Sequence, residues 1–179
     1  MKPFETARLT LRRLTPAELP AVYPQLVREE EGDDAPAEAI EWEIQADAGW
    51  NYQPLADKFG RLAIILKAEN RVIGTVGLYP FYCPVEVHTL IHSPARAATV
   101  EVEIGYSLSR LYRRQGYASE AAAALVNYGF QDLKLHRLFA RTTPDNSPSV
   151  RVMQRLGMTL WQSEDGQTIT GVIEQPPRT

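Results

Sequence analysis

With 179 residues, 44% of them hydrophobic, the chain has the length and apolar content of one domain, and residues 1–179 are read as a single domain. A formal net charge of −3, from 19 basic and 22 acidic side chains, excludes a nucleic-acid binder that works through a globally basic surface, so any anion site must be local. Cys83 is the sole cysteine, which excludes an internal disulfide and a cysteine cluster for zinc and suits a reducing cytoplasm.

The opening MKPFETARLTLRRL mixes charged with apolar residues and lacks the apolar core of a secretory signal. No window approaches the roughly 20 apolar residues of a membrane helix. The expectation is a cytoplasmic protein with neither membrane nor nucleic acid as partner. Residues Arg8 to Leu14 alternate in the manner of a strand. Thr15-Pro16-Ala17-Glu18 has the form of a capping box with proline at the first helical position, opening a helix that carries Leu19, Val22, Tyr23 and Leu26. The acidic run Glu29 to Asp34 reads as a solvated loop before a second helix around Ala37 to Ala48, with Ile40 and Ile44 four apart.

From Arg61 the texture becomes that of strands. RLAIILKA, a turn at Glu69-Asn70, and RVIGTVGLYP predict a hairpin, and a loop follows from about Phe81 to Ala98. In TVEVEIGYSL, Val100, Val102, Ile104 and Tyr106 alternate with Glu101, Glu103, Gly105 and Ser107, so both glutamates share one face. A helix from Ala118 to about Leu133, a buried strand RLFARTT, a helix from Asn146 to Leu156 ended by Gly157, and a hairpin of TLWQSE and TITGVIE complete the chain.

The segment YRRQGYASEA places Arg113, Arg114 and Gly116 at a helix entrance. Helix starts expose unpaired backbone N–H groups and a positive dipole end, which suit phosphate oxygens. With little side chain at Gly116 and Ala118, a pyrophosphate has room against the amides of Gln115, Gly116, Tyr117, Ala118 and Ser119, while Arg113 or Arg114 supplies a charged hydrogen bond. A glycine turn with solvated arginines is the alternative. No Gly-Lys-Ser/Thr follows and no GxGxxG occurs, so mononucleotide and NAD readings lose ground.

The strand EVEIGYSL, then Arg113-x-x-Gly116-x-Ala118, a helix, the strand RLFARTT, and Asn146-x-x-Ser149 running into Leu156-Gly157-Met158 together resemble the GNAT N-acetyltransferases, and most closely their RimJ/RimL-like branch. The opening ETARLTLRRLTPAE is similar to that branch, and the resemblance covers about residues 4 to 163. It implies an α+β fold with a mixed, strongly twisted sheet flanked by helices, in which EVEIGYSL and RLFARTT splay apart to admit acetyl-coenzyme A. It also implies that pantetheine pairs with the backbone near Tyr106 and Leu108, and that the Asn146 amide holds the same arm. The N-cap of its helix is Asn146's alternative role. The implied acceptor is a primary amine, on a protein N-terminus or a small molecule, attacked directly in a ternary complex by a monomer or homodimer.

Amine acetylation needs a neutral amine, a stabilised oxyanion and a proton for the leaving thiol. Glu101 and Glu103 are the candidate bases, with Glu103 preferred as the nearer to the expected thioester; both solvating an outer sheet face is the alternative. Many family members carry a tyrosine seven residues beyond the asparagine as proton donor, whereas this chain has Met153 there, and a thioether donates nothing. Ser149 is then the candidate for orienting or protonating the leaving sulfur, against a role in hydrogen bonding at the helix start. His88 and His92 form no metal motif, His136 reads as structural, and Trp42, Trp50 and Tyr52 line either an acceptor pocket or the core. A non-catalytic acyl-coenzyme A sensor and a generic phosphate binder are the rival readings.

Overall fold

In this computed structural model the described residues are 1–31, 35–50, 55–83 and 99–175, with the side chains of residues 30, 31 and 50 outside the description. The elements are β1 (Phe4–Glu5), β2 (Leu9–Arg12), α1 (Leu19–Glu31), α2 (Ala37–Trp50), β3 (Gly60–Leu66), β4 (Arg71–Cys83), β5 (Thr99–Leu108), a 3-10 turn at Arg110–Tyr112, α3 (Tyr117–Gln131), β6 (Arg137–Thr142), α4 (Ser147–Arg155), β7 (Thr159–Gln162) and β8 (Ile169–Glu174). Hydrogen-bonded neighbours run β1-β2-β3-β4-β5-β6-β8-β7, a mixed eight-stranded sheet. The mixed α/β class expected from the sequence is the one found. By internal contacts the chain divides into two compact units, Met1–Gly77 with Tyr106–Ala124, and Leu78–Gly105 with Leu125–Thr179.

In the first unit, β2 pairs antiparallel with β3, Leu9 opposite Leu66 and Leu11 opposite Ile64, and both leucines are fully buried. The short β1, which sequence alternation did not single out, pairs Phe4 with Leu11. Leu19 and Tyr23 of α1 pack with Leu14, Ala63 and Ile65, and Ile44 and Ala48 of α2 close over them. Only half of the capping box forms: the Glu18 carboxylate accepts from the Thr15 main-chain N–H at 2.8 Å and from its hydroxyl at 2.8 Å, while the Glu18 N–H bonds the Thr15 carbonyl instead of the Thr15 hydroxyl. The helix itself begins later than Pro16. Residues 15 to 18 make a turn closed by Glu18 N–H to the Thr15 carbonyl, because Pro20 has no N–H to offer Pro16 and the α-helical ladder cannot start there.

The acidic run departs from expectation as well. Helix α1 continues to Glu31, and Glu29 is no solvated loop residue: it accepts from Gln25 and pairs with Arg71. Against burial, which would raise it, Gln25 and Arg71 hold its carboxyl below the ordinary value. Residues 32–34 lie outside the description.

In the second unit, β8 inserts between β6 and β7 with antiparallel pairing on both sides, Phe139 opposite Val172 and Leu160 opposite Gly171. The expected terminal hairpin is therefore present, and its second strand carries the sheet onward. Gly129 of α3 lets the helix approach β6, since a Cβ there would stand 3.2 Å from Leu138 Cδ1. Met153 is fully buried, its sulfur under Gly171, so the position where a tyrosine donor would stand is a core position.

Candidate functional site

The entrance of α3 lies in the first unit. Arg114 adopts φ +64° and Gly116 φ +84°, so the chain reverses twice within three residues before the helix. Alternation of this kind turns successive N–H groups toward one side. Among the described residues, no protein group accepts from the amides of Arg114, Gln115, Gly116, Tyr117, Ala118 or Ser119; the first described bond is Glu120 N–H to the Gly116 carbonyl. The Ser119 hydroxyl, in the first turn, is buried without a described partner. Arg114 is exposed and its guanidinium makes no described contact. Uncommitted donors, a buried orphan hydroxyl and an unengaged cation in one turn fit a diphosphate, and the residues are the ones the sequence singled out.

Arg113 behaves differently. Its Nε donates to the Leu108 carbonyl at 3.0 Å, so it braces the end of β5. Just past the end of β5, Ser109 N–H bonds the Ile73 carbonyl at 3.0 Å, and a Cβ on Gly74 would stand only 2.2 Å from the Ser107 carbonyl oxygen. Ser107 and Ser109 thus turn their main-chain groups toward β4, and strand alternation directs those of Tyr106 and Leu108 to the opposite edge. That is the edge assigned to pantetheine by the resemblance. The Leu108 carbonyl is taken by Arg113.

Sequence reasoning missed Arg8 and Glu120 at this entrance. Arg8 Nη1 donates to the Gln115 carbonyl at 2.9 Å, its Nε to Glu120 at 2.7 Å, and its guanidinium stands 4.4 Å from the Tyr117 ring centroid. Burial would raise the Glu120 carboxyl, but Thr6 and Arg8 overcome it and hold the group below its ordinary value. No local pattern marks this, because the partners are 107 and 112 residues apart.

The candidate catalytic groups lie in the second unit. Glu103 pairs with Phe139 in the only described register between β5 and β6, a parallel one, and Ile104 and Gly105 have no β6 partner among the described residues. A ladder this short is what diverging strands leave. Both Glu103 oxygens are held by Arg141, at 3.1 Å from Nε and 3.0 Å from Nη2, and that guanidinium lies over Phe81 and Phe139 at 5.1 and 5.5 Å. Glu101 does not solvate an outer face: it is 7% exposed and its carboxylate is 3.4 Å from Arg137, whereas Val100 is 67% exposed. Asn146 caps α4, its side-chain oxygen accepting from Ser149 N–H at 3.3 Å, which leaves its exposed NH2 with no described acceptor. Ser149 stands one turn inside that helix.

Cys83 is buried beside Phe139 and Val172, and burial, with Glu101 adding to it, pushes its thiol up, away from the thiolate a covalent route needs. His136 is exposed. His88, His92 and Tyr52 lie outside the described residues, as does the Trp50 side chain. Among the described residues no group of three His, Cys, Asp or Glu could hold a metal, and no helix is long and apolar enough to cross a membrane.

A cavity of about 430 Å³ opens in the first unit against α1 and α2, lined in part by Tyr23, Trp42, Glu43, Arg61, Thr75 and Ser107. Trp42 is 63% exposed, which places it at the surface of that cavity and out of the core. Inside, Arg61 pairs with Glu43, and the Tyr23 hydroxyl donates to Asp47 at 2.8 Å. Burial raises both Tyr23 and Asp47.

Residues 8–159 match the acetyltransferase (GNAT) domain family. This chain belongs to the GNAT acetyltransferase family. The GNAT match runs through both compact units. Among curated proteins the chain is similar to the uncharacterized N-acetyltransferase YnaD of Bacillus subtilis (strain 168), 36% identical over 102 residues, 57% of this chain and 51% of that one. The match spans about half the length of that relative and of the next two. Among solved structures, an acetyltransferase from Agrobacterium tumefaciens str. C58 is 27% identical with a TM-score of 0.70, covering 98% of this chain and 95% of that one. The ribosomal L7/L12 α-N-protein acetyltransferase RimL, in complex with coenzyme A, has a TM-score of 0.70 at 18% identity, covering 97% and 98% of the two chains, and shares the GNAT fold.

Proposed function

We propose that the protein is an N-acetyltransferase that transfers acetyl from acetyl-coenzyme A to a primary amine by direct attack, with residues 1–179 acting as one GNAT domain. The observation that carries the reading is the uncommitted row of amides from Arg114 to Ser119, with Arg114 beside it and the Ser119 hydroxyl buried unpartnered. Gln115, Gly116, Tyr117, Ala118 and Ser119 would hold the diphosphate; Tyr106, the Leu108 N–H and the Asn146 NH2 would hold the pantetheine arm. Arg113 serves indirectly, by fixing the end of β5. Coenzyme A fits these residues, and its acetyl thioester, when bound, supplies the acetyl group.

Glu103 takes the amine proton, directly or through a water, as the C–N bond forms, and Ser149 orients the departing sulfur, which keeps the electron pair of the broken C–S bond. An α-amino group, with an unperturbed pKa near 8, asks less of such a base than a lysine near 10.4. Support for a protein N-terminus as acceptor is the fold shared with RimL; the Trp42 cavity is the proposed acceptor pocket, of a size usual for small ligands. Cytoplasmic location belongs to the same reading.

A non-catalytic acyl-coenzyme A sensor is favoured by one observation, the engagement of both Glu103 oxygens by Arg141. Thiol release from acetyl-coenzyme A with a panel of peptides and small amines separates the two. Turnover that falls about 10²-fold or more in Glu103→Gln supports the enzyme; tight coenzyme binding without turnover on any amine supports the sensor.

A further inference from the structure

Arg8 is the side chain that ties the first strands to the α3 entrance. Its root is fixed: Leu9 beside it is fully buried opposite Leu66, and the Arg8 carbonyl accepts from Lys67 N–H at 3.0 Å. Its head is fixed as well. Nη1 holds the Gln115 carbonyl at 2.9 Å, Nε holds Glu120 Oε2 at 2.7 Å, and the plane lies against the Tyr117 ring. Glu120 is itself held, accepting from Thr6 Oγ1 at 2.6 Å and from the Arg8 main-chain N–H at 2.9 Å.

An ion pair this exposed contributes little to stability, so the consequence of the tether is geometric. A trans peptide is planar, with its C=O and N–H pointing in opposite directions. Fixing the Gln115 carbonyl therefore fixes the Gly116 N–H on the far edge of the same plane. Gly116 needs this because at φ +84° it is the residue with the widest conformational freedom in the turn. A Cβ there would also stand 3.4 Å from Arg8 Nη2.

We infer that Arg8 is a positioning residue for the diphosphate site: its grip on the Gln115 carbonyl aims the Gly116 amide, and its charge neutralises Glu120, whose carboxylate would otherwise repel an anion at the same helix start. The inference rests on the coenzyme A reading. Its test compares wild type, Arg8→Gln and Arg8→Lys by calorimetry with coenzyme A, and by steady-state kinetics with acetyl-coenzyme A and with S-acetylpantetheine, which lacks the diphosphate. In Arg8→Gln the coenzyme A Kd weakens about fivefold and the KM for acetyl-coenzyme A rises in step, with kcat and the use of S-acetylpantetheine unchanged. Arg8→Lys recovers part of the loss; if Arg8→Gln does not fold, Arg8→Lys supplies the comparison with an effect in the same direction. Equal coenzyme A affinity in variant and wild type overturns the inference. So does a parallel loss with S-acetylpantetheine, which marks a general loosening. A wild type that binds no coenzyme A removes the coenzyme reading and this inference with it.

Discussion

Glu103 illustrates how a side chain's neighbours decide what it does. Two hydrogen bonds from Arg141 fix the direction of the carboxylate, and the guanidinium is held in turn by the Phe81 and Phe139 rings. Arg141→Gln is therefore expected to lower kcat/KM with a peptide acceptor about tenfold, because a base free to rotate spends less time aimed at the amine; an unchanged kcat/KM would show that this orientation does not matter to turnover. At the α3 entrance, Gly116→Val places a β-branched residue at φ +84° and its Cβ against Arg8. The expected result is about a tenfold loss of coenzyme A affinity in calorimetry, with no loss if that turn does not touch the ligand. At this scale the sequence carried what is local. Gly116 and the Asn146 cap are legible from spacing; Arg8, Arg141 and Arg137 are not, because each meets its partner only after the chain folds over 36 residues or more.

At the level of elements, the turn into α1 ties an electrostatic pair to a backbone feature. The Arg12 guanidinium, then the Thr15 N–H and hydroxyl, depress the Glu18 carboxyl to about 2. A depressed carboxyl contributes stability that is present above its unfolded value, near 4.5, and is lost as pH falls toward 2. Because Glu18 is largely solvated, the contribution is under about 1 kcal/mol. Thermal melts of wild type and Glu18→Gln should differ above pH 5 and converge by pH 2; a constant gap would place the effect in packing. The approach of β4 to β5 is more demanding. Gly74→Ala drives a Cβ into the Ser107 carbonyl and the Leu108 Cα, at 2.2 and 2.9 Å, and is expected to lower stability by about 1–3 kcal/mol in denaturant melts. Most elements were legible from periodicity and punctuation. The late start of α1 was not, since it turns on the missing N–H of Pro20, nor was the place of β8 between β6 and β7, since alternation specifies a strand's faces and leaves its neighbours open.

For the whole molecule, charge and fold agree on where an anion can bind. A chain of net charge −3 has no general attraction for a diphosphate, so affinity must come from placed donors, and a row of described amides left over by the fold lies where α3 begins. The family was legible because several weak motifs occur in one order; the acceptor was not, because its pocket draws on Tyr23, Trp42, Arg61, Thr75 and Ser107, brought together only by packing. Calorimetric titration of the wild-type protein with coenzyme A, with ATP as the competing phosphate ligand, tests the central claim most directly. Saturable one-to-one binding of coenzyme A, at least about tenfold tighter than ATP, is the expected result. No heat of binding, or ATP bound equally well, would contradict the account.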